Sequence, residues 1–118
     1  MVALVVTATA HFLAARLAAL WTVDPTVAQP FWLATGVSIG IGLASPTRVR
    51  PFVVAGAVIG QAVNTALFIH ADVVDVVGDV TANGVEIAVG VAVFGWWFSQ
   101  SAFTGRSTWT IAAFGLCF

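Results

Sequence analysis

Long apolar runs separated by short polar stretches set the pattern of this chain. Residues 2–22 form the first run, broken only by small polar residues, His11 and Arg16. A turn-prone stretch with Asp24, Pro25, Gln29 and Pro30 follows. Proline disfavours helix at the residue before it, so this loop is well marked. The second run, 31–46, is short: its apolar part, 31–44, reaches only about 21 Å as a helix. Ser45 and Pro46 end it, and Arg48 and Arg50 make the next loop basic. A third run covers 52–70 and a fourth 76–98. A fifth opens at Trp109 and continues to Phe118.

Leading into the fourth run and through its first half, a polar stripe stands out. Asp72, Asp75, Asp79, Asn83 and Glu86 follow at steps of three, four, four and three. On a helix those steps keep to one face. The residues between them are mostly Val, Ala and Gly. A carboxylate among such neighbours sits where lipid is expected, and burying an unpaired charge is costly. Such residues face a protein interior and often mark function.

Composition agrees with the pattern. Of 118 residues 60% are hydrophobic and 8% charged, against roughly 25% charged in a soluble domain. Crossing about 30 Å of hydrocarbon takes about 20 helical residues. The expectation is an all-α, polytopic transmembrane helical bundle: four full spans (2–22, 31–46, 52–70 and 76–98) plus the start of a fifth at 109–118. A fifth span of that length covers half a bilayer, which reads as a fragment of a longer domain. A net charge of −1 and four scattered basic residues give no case for nucleic-acid binding. One cysteine, Cys117, excludes an internal disulfide and a cysteine-based metal cluster. No metal site or cofactor is expected.

Arg48, Arg50 and Arg106 fall in the second and fourth loops, whereas the first and third carry Asp24 and Asp72. The positive-inside rule then places the even loops and the N-terminus in the cytoplasm. Trp21, Trp32, Trp96, Trp97 and Trp109 fall near span ends, as interfacial anchors do. Gly36 with Gly40 and Gly56 with Gly60 are small-residue pairs at four-residue spacing. They predict tight packing between helices of one chain, with homodimerisation as the alternative.

Depth along the spans suggests partners for the ionisable groups. Arg16 matches Asp79 and is the candidate for a buried ion pair; His11 matches Glu86 near the midplane. Asp72 and Asp75 read as solvated residues at a helix N-terminus, where they suit the macrodipole. The bland readings are snorkelling for Arg16, a hydrogen-bonded neutral side chain for His11, interhelical glue for Asn83, and a protonated Glu86 with one partner. No zinc, redox, phosphate-loop or nucleophile-elbow motif is present, so no enzymatic activity is expected.

The order of these features resembles the membrane-associated sensor domain of the first type, the MASE-type integral membrane domain of bacterial signalling proteins. His11-Phe12-Leu13-Ala14-Ala15 resembles its first helix. Pro30-Phe31-Trp32-Leu33-Ala34-Thr35-Gly36 resembles its Trp-Pro-x-x-Gly start of the second, with Leu33 in place of the usual Pro. The Gly-rich second helix, the basic loop, the stretch from Gly56 to Asn64, and Asn83-Gly84-Val85-Glu86 also fit. The resemblance covers most of the chain and about the first half of the family's domain. It implies an input domain of the cell inner membrane that passes a stimulus to a histidine kinase or cyclic-di-GMP enzyme. The sensing candidates are Glu86, Asn83, Asn64, Trp32 and His11, and the output module lies elsewhere. The size, the spans and the embedded Glu also resemble small proton-coupled multidrug-type transporters.

Overall fold

The computed structural model describes residues 1–20, 33–68 and 72–100. They form four helices: α1 (Val2–Leu20), α2 (Leu33–Ala44), α3 (Arg50–Phe68) and α4 (Val73–Gln100). A single 3-10 turn, Thr47–Val49, leads into α3, and no strand occurs among the described residues. Among the described residues three helical segments are long and apolar enough to cross a membrane: Val2–Leu20, Thr47–Phe68 and Val73–Ser99. The second span is the exception. α2 has 12 residues, about 18 Å of helix, which is short of the hydrocarbon thickness. The described part of the bundle therefore holds three helices of spanning length and one short apolar helix, rather than four full spans. The run 109–118 lies outside the described residues.

Local chemistry fixes the element ends. Pro51 sits in the first turn of α3, where its missing N–H costs no hydrogen bond. The fourth helix starts at Val73, ahead of the apolar run at 76 and at the acidic pair read as a helix N-terminus, within the 72–78 window the sequence allows. Asp72 explains this: its Oδ1 accepts the backbone N–H of Asp75 at 2.9 Å, an N-cap that closes the first turn early. Both acids are exposed, and Asp75 lies in that first turn, as expected for a solvated helix N-terminus.

Glycines set how closely the helices approach. A Cβ on Gly56 would run into the Leu4 carbonyl oxygen, and one on Gly60 would lie 2.5 Å from the Ala8 carbonyl oxygen. The α3 backbone is thus pressed against that of α1, and the two helices run parallel. Both glycines serve packing within the chain. Gly36 and Gly40 are buried on α2. The α2 and α4 helices interlock reciprocally: Val91 fills the space beside Gly42, and Ile39 the space beside Gly90. Val58 faces Gly84, and the Arg50 guanidinium lies against Gly95, so α3 and α4 run antiparallel. The four helices form a ring in which α3 lies between α1 and α4, and α1 scarcely touches α4.

The bundle is polar inside and apolar outside. Thr7, His11 and Ser38 are fully buried, and Thr35, Gln61, Asn64, Thr65 and Asn83 nearly so. Valines, leucines and phenylalanines such as Val5, Leu13, Leu17, Phe52, Val63, Leu67, Val89 and Val93 face outward. An exterior of this kind suits lipid as solvent, where helices associate through small residues and internal hydrogen bonds. Trp96 and Trp97 are exposed near the end of α4; Trp21, Trp32 and Trp109 lie outside the described residues. The purely apolar core is small: Ala57, Ile87 and Val91, with Ile39 and Val54 packed against it.

The packing predicts opposite effects for two glycine substitutions. Gly60→Ala should cost about 1–3 kcal/mol, because the added methyl meets backbone that cannot rotate away. Gly78→Ala should stabilise by about 0.5–1 kcal/mol, because nothing lies within 4 Å of an added Cβ there and alanine favours helix. Denaturant titration of both variants in detergent micelles checks the pair.

Candidate functional site

His11 is fully buried between two helices. Its Nδ1 lies 2.9 Å from Ser38 Oγ on α2, and its Nε2 lies 3.0 Å from Gln61 Oε1 on α3. An amide oxygen only accepts, so Nε2–H is the donor to Gln61. In the neutral ring Nδ1 then accepts the Ser38 hydroxyl. The other end of Gln61 faces α4. Its Nε2 donates to Asp79 Oδ2 at 2.6 Å, and Thr65 Oγ1 donates to the same oxygen at 2.9 Å. Asn83 Nδ2 completes the shell, 3.0 Å from Asp79 Oδ1 and 2.9 Å from the Asp79 carbonyl oxygen.

Ser38, His11, Gln61 and Asp79 thus form one directed hydrogen-bond chain that touches all four helices. Helical spacing builds it. Gln61 and Thr65 are four apart on α3 and face Asp79 and Asn83, four apart on α4. Each amide and hydroxyl lies on the buried side of an otherwise apolar helix. The Asp79 carboxylate, half-buried, accepts from three neutral side chains.

Of the expected site residues, the structure brings His11, Asp79 and Asn83 together. Asn64 is also buried, one turn along α3 from Gln61, and its Oδ1 finds no hydrogen-bond partner among the described residues. The same holds for Thr35 Oγ1, one turn along α2 from Ser38. Trp32 lies outside the described residues.

Both pairings inferred from depth fail to form among the described residues. Arg16 lies 3.9 Å from the centroid of the Phe68 ring, a cation–π contact. Phe68 also packs on Phe12, with ring centroids 6.1 Å apart. Asp79 binds α3 and Asn83 instead of Arg16. The reason is topological: α3 stands between α1 and α4, so equal depth does not make neighbours. Nor does His11 meet Glu86, which is exposed and has no hydrogen bond or ion pair among the described residues. The buried line of α4 is Asn83, Ile87 and Val91. Glu86 is one residue from Ile87, about 100° round the helix, and points out of the bundle. The polar stripe overlaps the buried face only at Asp79 and Asn83.

Ser38, Gln61 and Thr65 complete the site and were not singled out by sequence. Their signal was present but quiet: neutral polar residues inside apolar runs, with Gln61 and Thr65 at helical spacing opposite the acidic stripe. The chain matches no protein-family model, no curated protein and no solved structure. The resemblance to the membrane-associated sensor domain therefore stands on its motifs alone.

Two double-mutant cycles separate this geometry from the ion-pair expectation. Gln61→Leu with Asp79→Asn should show a coupling of about 1 kcal/mol, the scale of an interhelical hydrogen bond in a membrane protein. Arg16→Met with Asp79→Asn should show less than about 0.5 kcal/mol. Unfolding free energies of the wild type, the three single variants and the two double variants in micelles give both values.

Proposed function

We propose that the chain is the membrane-embedded sensory domain, or the first part of one, of a bacterial signal-transduction protein whose output is a histidine kinase or a cyclic-di-GMP enzyme. It lies in the cell inner membrane with its N-terminus cytoplasmic, and it carries no catalytic activity of its own. The observation that supports this reading is the single hydrogen-bond chain from Ser38 through His11 and Gln61 to Asp79. A stimulus that alters one node alters the packing of every helix, because each helix contributes a link. A ligand or field drives such a change only through unequal affinity for two packings. Moving the balance from mostly one state to mostly the other takes about 5.5 kcal/mol of differential interaction. That is the range spanned by a few buried hydrogen bonds.

Glu86 has no part in this version. The expectation that its carboxyl faces sister helices and joins a sensing site does not survive its outward position. The sensing role passes to the network that His11 and Asn83 share with Asp79.

The outward position favours a second reading in one respect. A Glu at the middle of a span that faces away from its own bundle suits a transporter whose site forms between two copies. Proton-coupled efflux of a lipophilic cation from vesicles holding this chain alone, lost in Glu86→Gln, would replace the sensory reading.

The sensory reading predicts that Gln61→Leu, in the complete protein with its output module, inserts at normal levels and fixes kinase or cyclase output at one value across conditions. Asp79→Asn should narrow the response rather than abolish it, because the amide keeps part of the hydrogen bonding. Wild-type response amplitude in both variants would refute the role of the network. A reading frame that carries no output module and ends soon after Phe118 would refute the assignment itself.

A further inference from the structure

The charges of this chain are sorted to opposite ends of the bundle. Arg48 lies in the turn before α3, and Arg50 is the first residue of that helix. Asp72 and Asp75 stand at the start of α4, which is the far end because α3 and α4 run antiparallel. Asp79 bonds Thr65, about 22 Å along α3 from Arg50. Glu86 is about 13 Å along α4 from Gly95, the residue against which the Arg50 guanidinium lies. Asp24 follows α1, which ends at the far side with α3, and lies outside the described residues. These are the chain's five acids, and residues 101–118 add none. Among the described residues no carboxylate stands at the arginine end.

Arg50 is nonetheless built in rather than left to solvent. It is half-buried. Its guanidinium fills a notch in α4 that exists because residue 95 has no side chain: a Cβ there would strike Nη1 and come within 3.3 Å of Cζ. Its Nε–H donates to the Ser45 carbonyl oxygen at a long 3.4 Å. The two Nη groups carry the other N–H donors of the fork, and these have no partner among the described residues. Arg48, exposed in the turn just before, is likewise unpaired among the described residues. As a helix of 19 residues, α3 is about 28 Å long, close to the hydrocarbon thickness of a bilayer. In a helix that crosses the membrane, its first residue stands at the level of the lipid phosphates. Trp96 and Trp97, exposed just after Gly95, suit the same level, as interfacial aromatics do. The abundant anion there is a phosphodiester, which a guanidinium binds through two parallel N–H···O bonds.

We propose that Arg50, seated at Gly95, and Arg48 bind the phosphate of an anionic phospholipid where the start of α3 meets the end of α4. The free Nη groups of Arg50 donate to the phosphate oxygens, and Arg48 adds a second positive charge. The site favours a lipid with net negative charge over a zwitterionic one, whose ammonium group meets no carboxylate here. A bound headgroup supplies the counter-charge that the chain lacks at this end and ties α3 to α4. No residue of the hydrogen-bond chain from Ser38 to Asp79 takes part, so the lipid site is independent of the sensory reading.

The test titrates the full chain in a neutral detergent with short-chain phosphatidylglycerol, with phosphatidylcholine of the same acyl chains, and with inorganic phosphate. Native mass spectrometry counts the bound lipid, and thermal unfolding is followed alongside. The expected result is phosphatidylglycerol bound about tenfold more tightly than phosphatidylcholine, with a raised unfolding temperature, and no competition from millimolar phosphate. Arg50→Gln should weaken phosphatidylglycerol binding by about tenfold, and Arg50→Lys, which keeps the charge and loses the fork, by about threefold. Arg48→Gln changes an exposed turn residue, leaves the fold intact and should weaken it by about fivefold. Arg16→Gln, at the far end, should leave it unchanged. Equal affinity for the two lipids overturns the proposal. So does a preference that survives both Arg50→Gln and Arg48→Gln, because the headgroup then binds elsewhere. Inorganic phosphate that competes as well as the lipid marks a site for a free anion and overturns the lipid assignment. The same titration of the complete protein with its output module should keep the preference. Its loss there shows that a further span supplies the counter-charge, and that also overturns the proposal.

Discussion

Inside lipid no water meets a stray donor or acceptor, and one glutamine answers most of that constraint here. Gln61 offers an acceptor on one side of its amide and a donor on the other. His11 needs an acceptor and Asp79 needs donors, and the two lie on helices that do not pack together. Gln61 on α3, the helix packed most closely on α1, reaches both, and its amide serves both without adding charge. A leucine at this place would leave His11 and Asp79 each short of a partner. A glutamate would set a second carboxyl against Asp79. The structure thus places a neutral, two-ended side chain at the junction of four helices.

That junction exists because α1 and α3 are close. Gly60 precedes Gln61, and a Cβ on Gly60 would lie 3.1 Å from the His11 Cβ. The glycine is what lets the imidazole stand near enough to bond the next residue of α3. Gly56 repeats the same contact one turn earlier. Across the ring, the exchange of Val91 for Gly42 and Ile39 for Gly90 holds α2 and α4 together without polar contacts. Small residues and the hydrogen-bond chain are therefore one device. The first fix the distance between backbones, and the second fixes which rotation about each helix axis is accepted.

The fold was largely legible because hydrophobic runs of membrane length carry a strong signal. The fourth helix begins at Val73, ahead of the apolar run at 76, because Asp72 caps it; the acidic pair Asp72 and Asp75 marked that N-terminus where hydropathy did not. The shortness of α2 was visible in the length of its apolar run, and among the described helices it alone falls below spanning length. The site was half legible. His11, Asp79 and Asn83 announce themselves as charged or amide groups among valines. Ser38, Gln61 and Thr65 carry no charge and blend into apolar runs, so only their partners reveal them. The pairings were misjudged for a geometric reason. Depth fixes one coordinate of a side chain, whereas contact also depends on the order of helices round the bundle and on rotation. Glu86 shows the rotation error: a stripe with steps of three and four is broad, and one edge of it faces outward.

Asp79 and Glu86 then make an instructive contrast on a single helix, seven residues apart. Asp79 is met by three neutral donors from its own chain, so its charge is spread through hydrogen bonds whose strength depends on geometry. An arginine partner would have tied it more firmly, through charge-assisted hydrogen bonds. A neutral shell holds the carboxylate only while Gln61, Thr65 and Asn83 keep their orientation, and Gln61 keeps its orientation only while His11 holds its other end. Displacement of α1 against α3 is therefore felt at α4, although α1 scarcely touches α4. Glu86 has no such shell among the described residues and faces away from the bundle. Of the two carboxyls, only Asp79 makes the helices depend on one another.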